Sequence, residues 1–200
     1  MRLRTLTTVS AFTALTFATA APAAHAADPS APATSPGYTV RKLTPEEAGG
    51  TDTAGTGQIA SGPRTQGRVI CFQARTRSGT WTAKVCSDGP GFTGTEGRND
   101  PIVSVRFWVG TVGDMDLTVA LHFAEIGTLP EVTLLSGDAV EIDAVGRALE
   151  AIHLQSDSES MKAAAHVQNV GWKGTDQWSY DQWIGSIGEG RWMEAFWIDI

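Results

Sequence analysis

Two histidines and two glutamates in this 200-residue chain could form proton-exchanging couples, because they recur at one spacing. His122 and His166 lie 44 residues apart, as do Glu150 and Glu194. An imidazole titrates near neutral pH and a carboxylate below it, so a His and a Glu in contact form either an acid–base couple or an ion pair. Alternation with period two places Glu194 on the strand face of Phe196, and Glu150 on that of Ile152. Burying a carboxylate without a partner is costly. The expectation is one His–Glu pair in each of two units, His122 with Glu150 and His166 with Glu194, tying the first strand of a unit to its last. Two copies of one site in a small domain are the mark of a repeated scaffold, so no residue is assigned a catalytic role. The alternative is a small secreted hydrolase acting on cell-wall material through Glu150 or Glu194 and a neighbouring His.

The stronger functional signal is aromatic. Five of the seven tryptophans fall in the last 37 residues, at Trp172, Trp178, Trp183, Trp192 and Trp197. An indole offers a flat apolar face on which a sugar ring can stack, while nearby polar groups bond its hydroxyls. Trp178, Tyr180, Asp181, Gln182 and Trp183 occupy a segment whose counterparts 44 residues earlier are small and aliphatic. Such an excess of aromatic residues in a loop marks a contact surface. Trp178, Tyr180, Asp181, Trp183 and Trp172 are therefore the candidate ligand-binding residues. Trp178 and Trp183 are expected on the surface, whereas Trp172 and Trp197 could equally fill the core.

The remaining chemistry is sparse. Cys71 and Cys86 are the only cysteines and read as one structural disulfide in an exported chain. Asp100, Asp114 and Asp116 match no calcium-loop spacing and read as solvated acids. The sequence has no GxSxG elbow, no HExxH and no phosphate or dinucleotide loop, so no metal and no cofactor is expected.

The elements that must position these residues repeat. Ala120–Leu154 and Ala164–Ile200 share His122/His166, Gly127/Gly171, Gly146-Arg147/Gly190-Arg191 and Glu150-Ala151/Glu194-Ala195. A weaker copy runs from Arg68 to Trp108, with Gly79, Gly97-Arg98 and the strand-like Ile102–Phe107 in the corresponding places. In that first unit Ala74 and Val103 stand where the His and the Glu are expected, and the disulfide is read as replacing the missing tie. The third unit, with HVQNVGW, a Gly-Arg turn and a closing strand containing Glu-Ala, resembles the clostridial hydrophobic W (ChW) repeat. The second unit has Thr128 in place of the motif tryptophan, and the first has neither the His nor the Glu. The resemblance implies an extracellular binding or adhesion module of Gram-positive bacteria, with glycan or cell-wall contact and no settled catalysis.

Three equal, glycine-punctuated units rich in alternating strands imply an all-β domain, a threefold β-prism or β-trefoil built from repeats at about 68–113, 114–156 and 157–200. Residues 1–26 read as a signal peptide: Arg2 and Arg4, an apolar run, then Ala24-His25-Ala26 before the cut. Its removal takes away two arginines and no acid, so the formal charge goes from -7 to -9. A mature chain this acidic is a poor match for nucleic acid, and no later stretch is apolar enough for membrane insertion. Residues 27–67 read as a Pro/Ser/Thr/Gly-rich linker, largely disordered, with at most one helical turn at Thr44-Pro45-Glu46-Glu47. The expected product is a secreted module, released or held at the cell wall, that binds an extracellular glycan or cell-surface component, with a protein partner or adhesin role as the further alternative.

Overall fold

The structure, a computed structural model, describes residues 33–35, 37–49, 68–111 and 113–200. The signal-peptide reading of residues 1–26 lies outside them. In chain order the elements are β1 (Ala33–Ser35), β2 (Tyr38–Lys42), α1 (Pro45–Gly49), β3 (Ile70–Thr76), β4 (Val85–Cys86), β5 (Thr93–Gly94), β6 (Ile102–Val109) and β7 (Leu117–Phe123). Then come β8 (Gly127–Thr128), β9 (Val132–Leu134), β10 (Ala139–Asp143), β11 (Leu149–Ser156), β12 (Lys162–Val167), β13 (Gly171–Gly174), β14 (Asp181–Gly185) and β15 (Met193–Asp199). The described chain is nearly all β, in three antiparallel sheets, as the alternating sequence implies.

Each unit pairs its first long strand with its last. Ala74 lies opposite Val105 in β3–β6, Leu121 opposite Ile152 in β7–β11, and Ala165 opposite Phe196 in β12–β15. All six side chains are buried in one hydrophobic core. A further strand of each unit, two residues long in unit one and five in the other two, leaves its unit. β10 of unit two adds to β6 of unit one, β14 of unit three adds to β11 of unit two, and β5 of unit one adds to β15 of unit three. Every unit thus gives one strand to a neighbour and receives one, so no unit can complete its sheet alone.

The last strand of each unit bulges at one residue: Val103, Glu150 or Glu194. The visiting strand seals that bulge. The backbone N–H groups of Ala144, Ser186 and Thr95 donate to the carbonyl oxygens of Val103 (3.2 Å), Glu150 (2.9 Å) and Glu194 (2.7 Å). Two of these crossings demand glycine. Gly94 and Gly185 sit at φ +107° and +101°, and a Cβ there would lie 2.2 Å and 2.3 Å from the Glu194 and Glu150 carbonyl oxygens. The register also corrects the first unit. Arg75, not Ala74, faces the residue after the bulge as His122 and His166 do.

Cys71 and Cys86 are joined, linking β3 to β4. The bond closes a separation of 15 residues, for which chain entropy gives about 3 kcal/mol. It does not replace the tie missing from unit one, because Cys71 lies opposite Trp108, towards the other end of β3 from Arg75.

The stretch read as a linker also needs correction at residues 37–49. β2 pairs antiparallel with β10, with Val40 opposite Ile142, and extends the sheet of unit one. Tyr38 and Val40 pack against the main core, and Leu43 is buried with Trp108 and Ala139. These apolar residues disappear in the average composition of the surrounding polar segment. α1 is the single turn expected, capped reciprocally. The Glu47 N–H donates to Thr44 Oγ1 at 3.3 Å, and the Thr44 N–H donates to Glu47 Oε2 at 3.0 Å.

Candidate functional site

The two His–Glu pairs form at the bulges. His166 Nδ1 donates to Glu194 Oε2 at 3.0 Å, and the same oxygen accepts the Gly97 N–H at 3.1 Å. Glu194 is 2% exposed, so its carboxyl oxygens find their partners inside the corner. The second pair is looser: His122 Nε2 stands 3.5 Å from Glu150 Oε2, while its Nδ1 bonds Thr128 Oγ1 at 2.8 Å. In unit one Arg75 pairs with Asp143, which arrives on the visiting strand β10. The three pairs tie strands together, and Glu150 and Glu194 are buried. Asp100, Asp114 and Asp116 do not converge, and among the described residues no group of three or more His, Cys, Asp or Glu is placed to hold a metal.

An open groove of about 910 Å³ lies against the β13–β12–β15–β5 sheet. Three rings line it: Phe92 from the segment leading into β5, Trp172 on β13 and Trp197 on β15. Charged groups line it too, among them Asp88, Glu159 and Asp199 with Arg68. Trp172 is held in place from several sides. Its ring meets Phe92 edge-on at 5.4 Å and His166 at 5.5 Å, and its Nε1–H donates to Glu96 Oε1 at 3.1 Å. It remains 38% exposed. Both residues whose place was left open, Trp172 and Trp197, are thus outside the core, which phenylalanines and aliphatic side chains fill.

Trp183 and Asp181 belong elsewhere. They stand on β14, in the sheet of unit two, where Trp183 is paired with His153 on β11. The two rings stack at 4.9 Å. His153 Nε2 donates to Asp181 Oδ1 at 2.7 Å, and its Nδ1 faces Glu131 Oε1 at 3.9 Å. Trp178 and Tyr180 are exposed on the approach to β14, with Lys162 Nζ 5.0 Å from the Trp178 ring. The five candidate residues therefore do not form one surface on unit three: Trp172 lines the groove, and Trp183 with Asp181 faces out from another sheet.

Phe92, Glu96 and His153 were not anticipated. His153 has a readable signal, since it lies 44 residues before Trp197 and takes the same outward position. Phe92 could have been found by matching Gly94 to Gly185 as the visiting-strand glycines, a match that the spacing of 44 does not give.

No curated protein and no solved structure matches the chain. A family model does, over one unit rather than three. Residues 166–200, which carry His166, Trp172, Glu194 and Trp197, are similar to the Clostridial hydrophobic W family.

Proposed function

We propose that the protein is an exported, non-catalytic binding module that takes a saccharide chain of a cell surface or cell wall in the groove of unit three. The observation that carries this reading is the convergence of Trp172, Trp197 and Phe92 in one open groove among carboxylates and a guanidinium. Flat rings there supply stacking faces, and the charged groups supply hydrogen-bond partners for hydroxyls. Contacts to Glu96, His166 and Phe92 fix the Trp172 ring before any ligand arrives, which lowers the entropy lost on binding. The family resemblance of residues 166–200 supports an extracellular cell-surface role. For the scaffold, the cyclic loan of one strand per unit favours a prism-like arrangement over a trefoil.

The hydrolase reading requires paired carboxylates exposed in a cleft. Glu150 and Glu194 are buried, Glu150 beside His122 and Glu194 bonded to His166 and the Gly97 N–H, which weighs against it. The test is a tryptophan-fluorescence titration of the mature protein with peptidoglycan fragments and soluble polysaccharides. A saturable change, weakened at least about tenfold in a folded Trp172→Ala variant, is the expected result. No response to any glycan from a folded protein would shift the reading to a protein partner.

A further inference from the structure

The His153–Trp183 cluster faces out from the β14–β11–β7 sheet and is used by neither the core nor the groove. Its imidazole is almost wholly buried, at 8% residual exposure, and is fixed on three sides: Trp183 stacks on the ring, Asp181 accepts from Nε2, and Glu131 faces Nδ1. The Trp183 ring is 42% exposed although His153 covers part of it. The two carboxylates are largely open to solvent, with side chains 63% and 62% exposed. A buried histidine thus holds an indole and the Asp181 carboxylate at the surface, with the Glu131 carboxylate 3.9 Å from its other ring nitrogen.

We infer that this cluster is a second saccharide site, one that selects sugars carrying a protonated amine. The exposed part of Trp183 offers a stacking surface. Asp181 uses Oδ1 on His153, which leaves its other oxygen for a ligand donor. An ammonium group is the complementary partner for carboxylates presented beside an aromatic face, since it gains both charge-assisted hydrogen bonds and attraction to the ring. A carboxylated or phosphorylated sugar meets two like charges here, on a mature chain of net charge -9 after loss of Arg2 and Arg4 from the total of -7. The groove, by contrast, mixes Arg68 with its acids. The inference stands apart from the groove reading, because the two sites lie on different sheets and share no residue.

The experiment uses the full mature chain and glucosamine oligosaccharides, with the N-acetylated oligomers of equal length as comparison, followed by calorimetry. The expected result is saturable binding of the amine form that persists in Trp172→Ala. It should weaken at least about tenfold in Trp183→Ala and roughly fivefold in Asp181→Asn, and fall as salt is raised. Acetylated oligomers should bind at least about tenfold more weakly at this site. Should Trp183→Ala not fold, the double variant Asp181→Asn with Glu131→Gln alters only exposed carboxylates and must produce the loss. Equal binding of both oligomers, binding indifferent to both the Trp183 and the carboxylate changes, binding abolished by Trp172→Ala, or no binding at all would each overturn the inference. Failure of the peptidoglycan titration alone would bear only on the groove.

Discussion

In unit three the acid of the corner stands on the bulge itself, as Glu194, with His166 across from it. In unit one the bulge residue is the apolar Val103, and the acid, Asp143, arrives on the visiting strand to meet Arg75. Asp143 occupies the place that Gly94 and Gly185 hold in the other two corners. Where the bulge carries a glutamate, the visiting strand is a glycine pressed on its carbonyl; where the bulge carries valine, the visiting strand brings the carboxylate and has a side chain. The corners thus share one pair of a nitrogen base and a carboxylate over one bulge, while the residue that supplies the acid changes sides. A comparison by residue type finds unit one deficient, whereas its register shows the pair supplied from the neighbouring unit.

The hardest test of this comparison is Gly94→Ala. The new Cβ would meet the Glu194 carbonyl oxygen at 2.2 Å and the Ala195 Cα at 2.6 Å, in a backbone conformation that only glycine adopts easily. Neither obstacle is a flexible side chain, so the variant should lose more than about 3 kcal/mol in urea unfolding, or fail to fold. A loss below about 1 kcal/mol would mean that the close approach does not exist. Next in size is Glu194→Ala. It leaves His166 and the Gly97 N–H without their partner inside a buried corner, at about 2–3 kcal/mol. Glu150→Ala should cost less, about 1–2 kcal/mol, because His122 keeps its bond to Thr128. An unchanged melting temperature in Glu194→Ala would remove the structural role of the pair.

The two His–Glu pairs were legible in the sequence because each depends on contacts within one unit and on strand parity. The disulfide was legible because a chain with two cysteines offers one pairing. The exchange of third strands was not, since nothing local in the residues of β5, β10 or β14 says whose sheet they complete. That blindness also placed all the aromatic candidates on one surface: Trp183 goes to unit two with β14, and Phe92 comes to unit three with β5. Strand β2 was lost for a different reason. Its apolar positions Tyr38 and Val40, with Leu43 just after it, are three residues in a long polar stretch, and they reach the main core and Trp108 through the pairing of β2 with β10, which no local pattern announces.

A smaller effect should separate the corners further. Arg75 and Asp143 retain 29% and 20% side-chain exposure, so Asp143→Asn should cost about 1 kcal/mol, well below the loss in Glu194→Ala. Losses of equal size in thermal unfolding would show that moving the acid to the visiting strand leaves its burial, and hence its contribution, unaltered.

The smallest expected effect concerns β2, which among the described residues extends the sheet of unit one alone. Glu47 follows β2, and its carboxyl is held down at about 2 by the Thr44 backbone N–H first and the Arg41 guanidinium second. The shift is downward from an ordinary 4.5, so the ionised form favours the folded strap. Its contribution is complete above pH 4.5 and disappears as the pH falls towards 2, when the carboxyl protonates and both acceptor roles weaken. The protection factors of the Val40 and Arg41 amides, taken against the intrinsic exchange rate at each pH, should therefore fall on acidification through that window, and Glu47→Gln should show less of the fall. The amides of β12 report the corner of unit three and should not distinguish the variant from the wild type. Arg41 also pairs with Glu141 at 2.9 Å, so the strap should loosen rather than detach. The same acid response in Glu47→Gln as in the wild type would transfer the pH dependence from the Thr44–Glu47 cap to the Arg41–Glu141 pair.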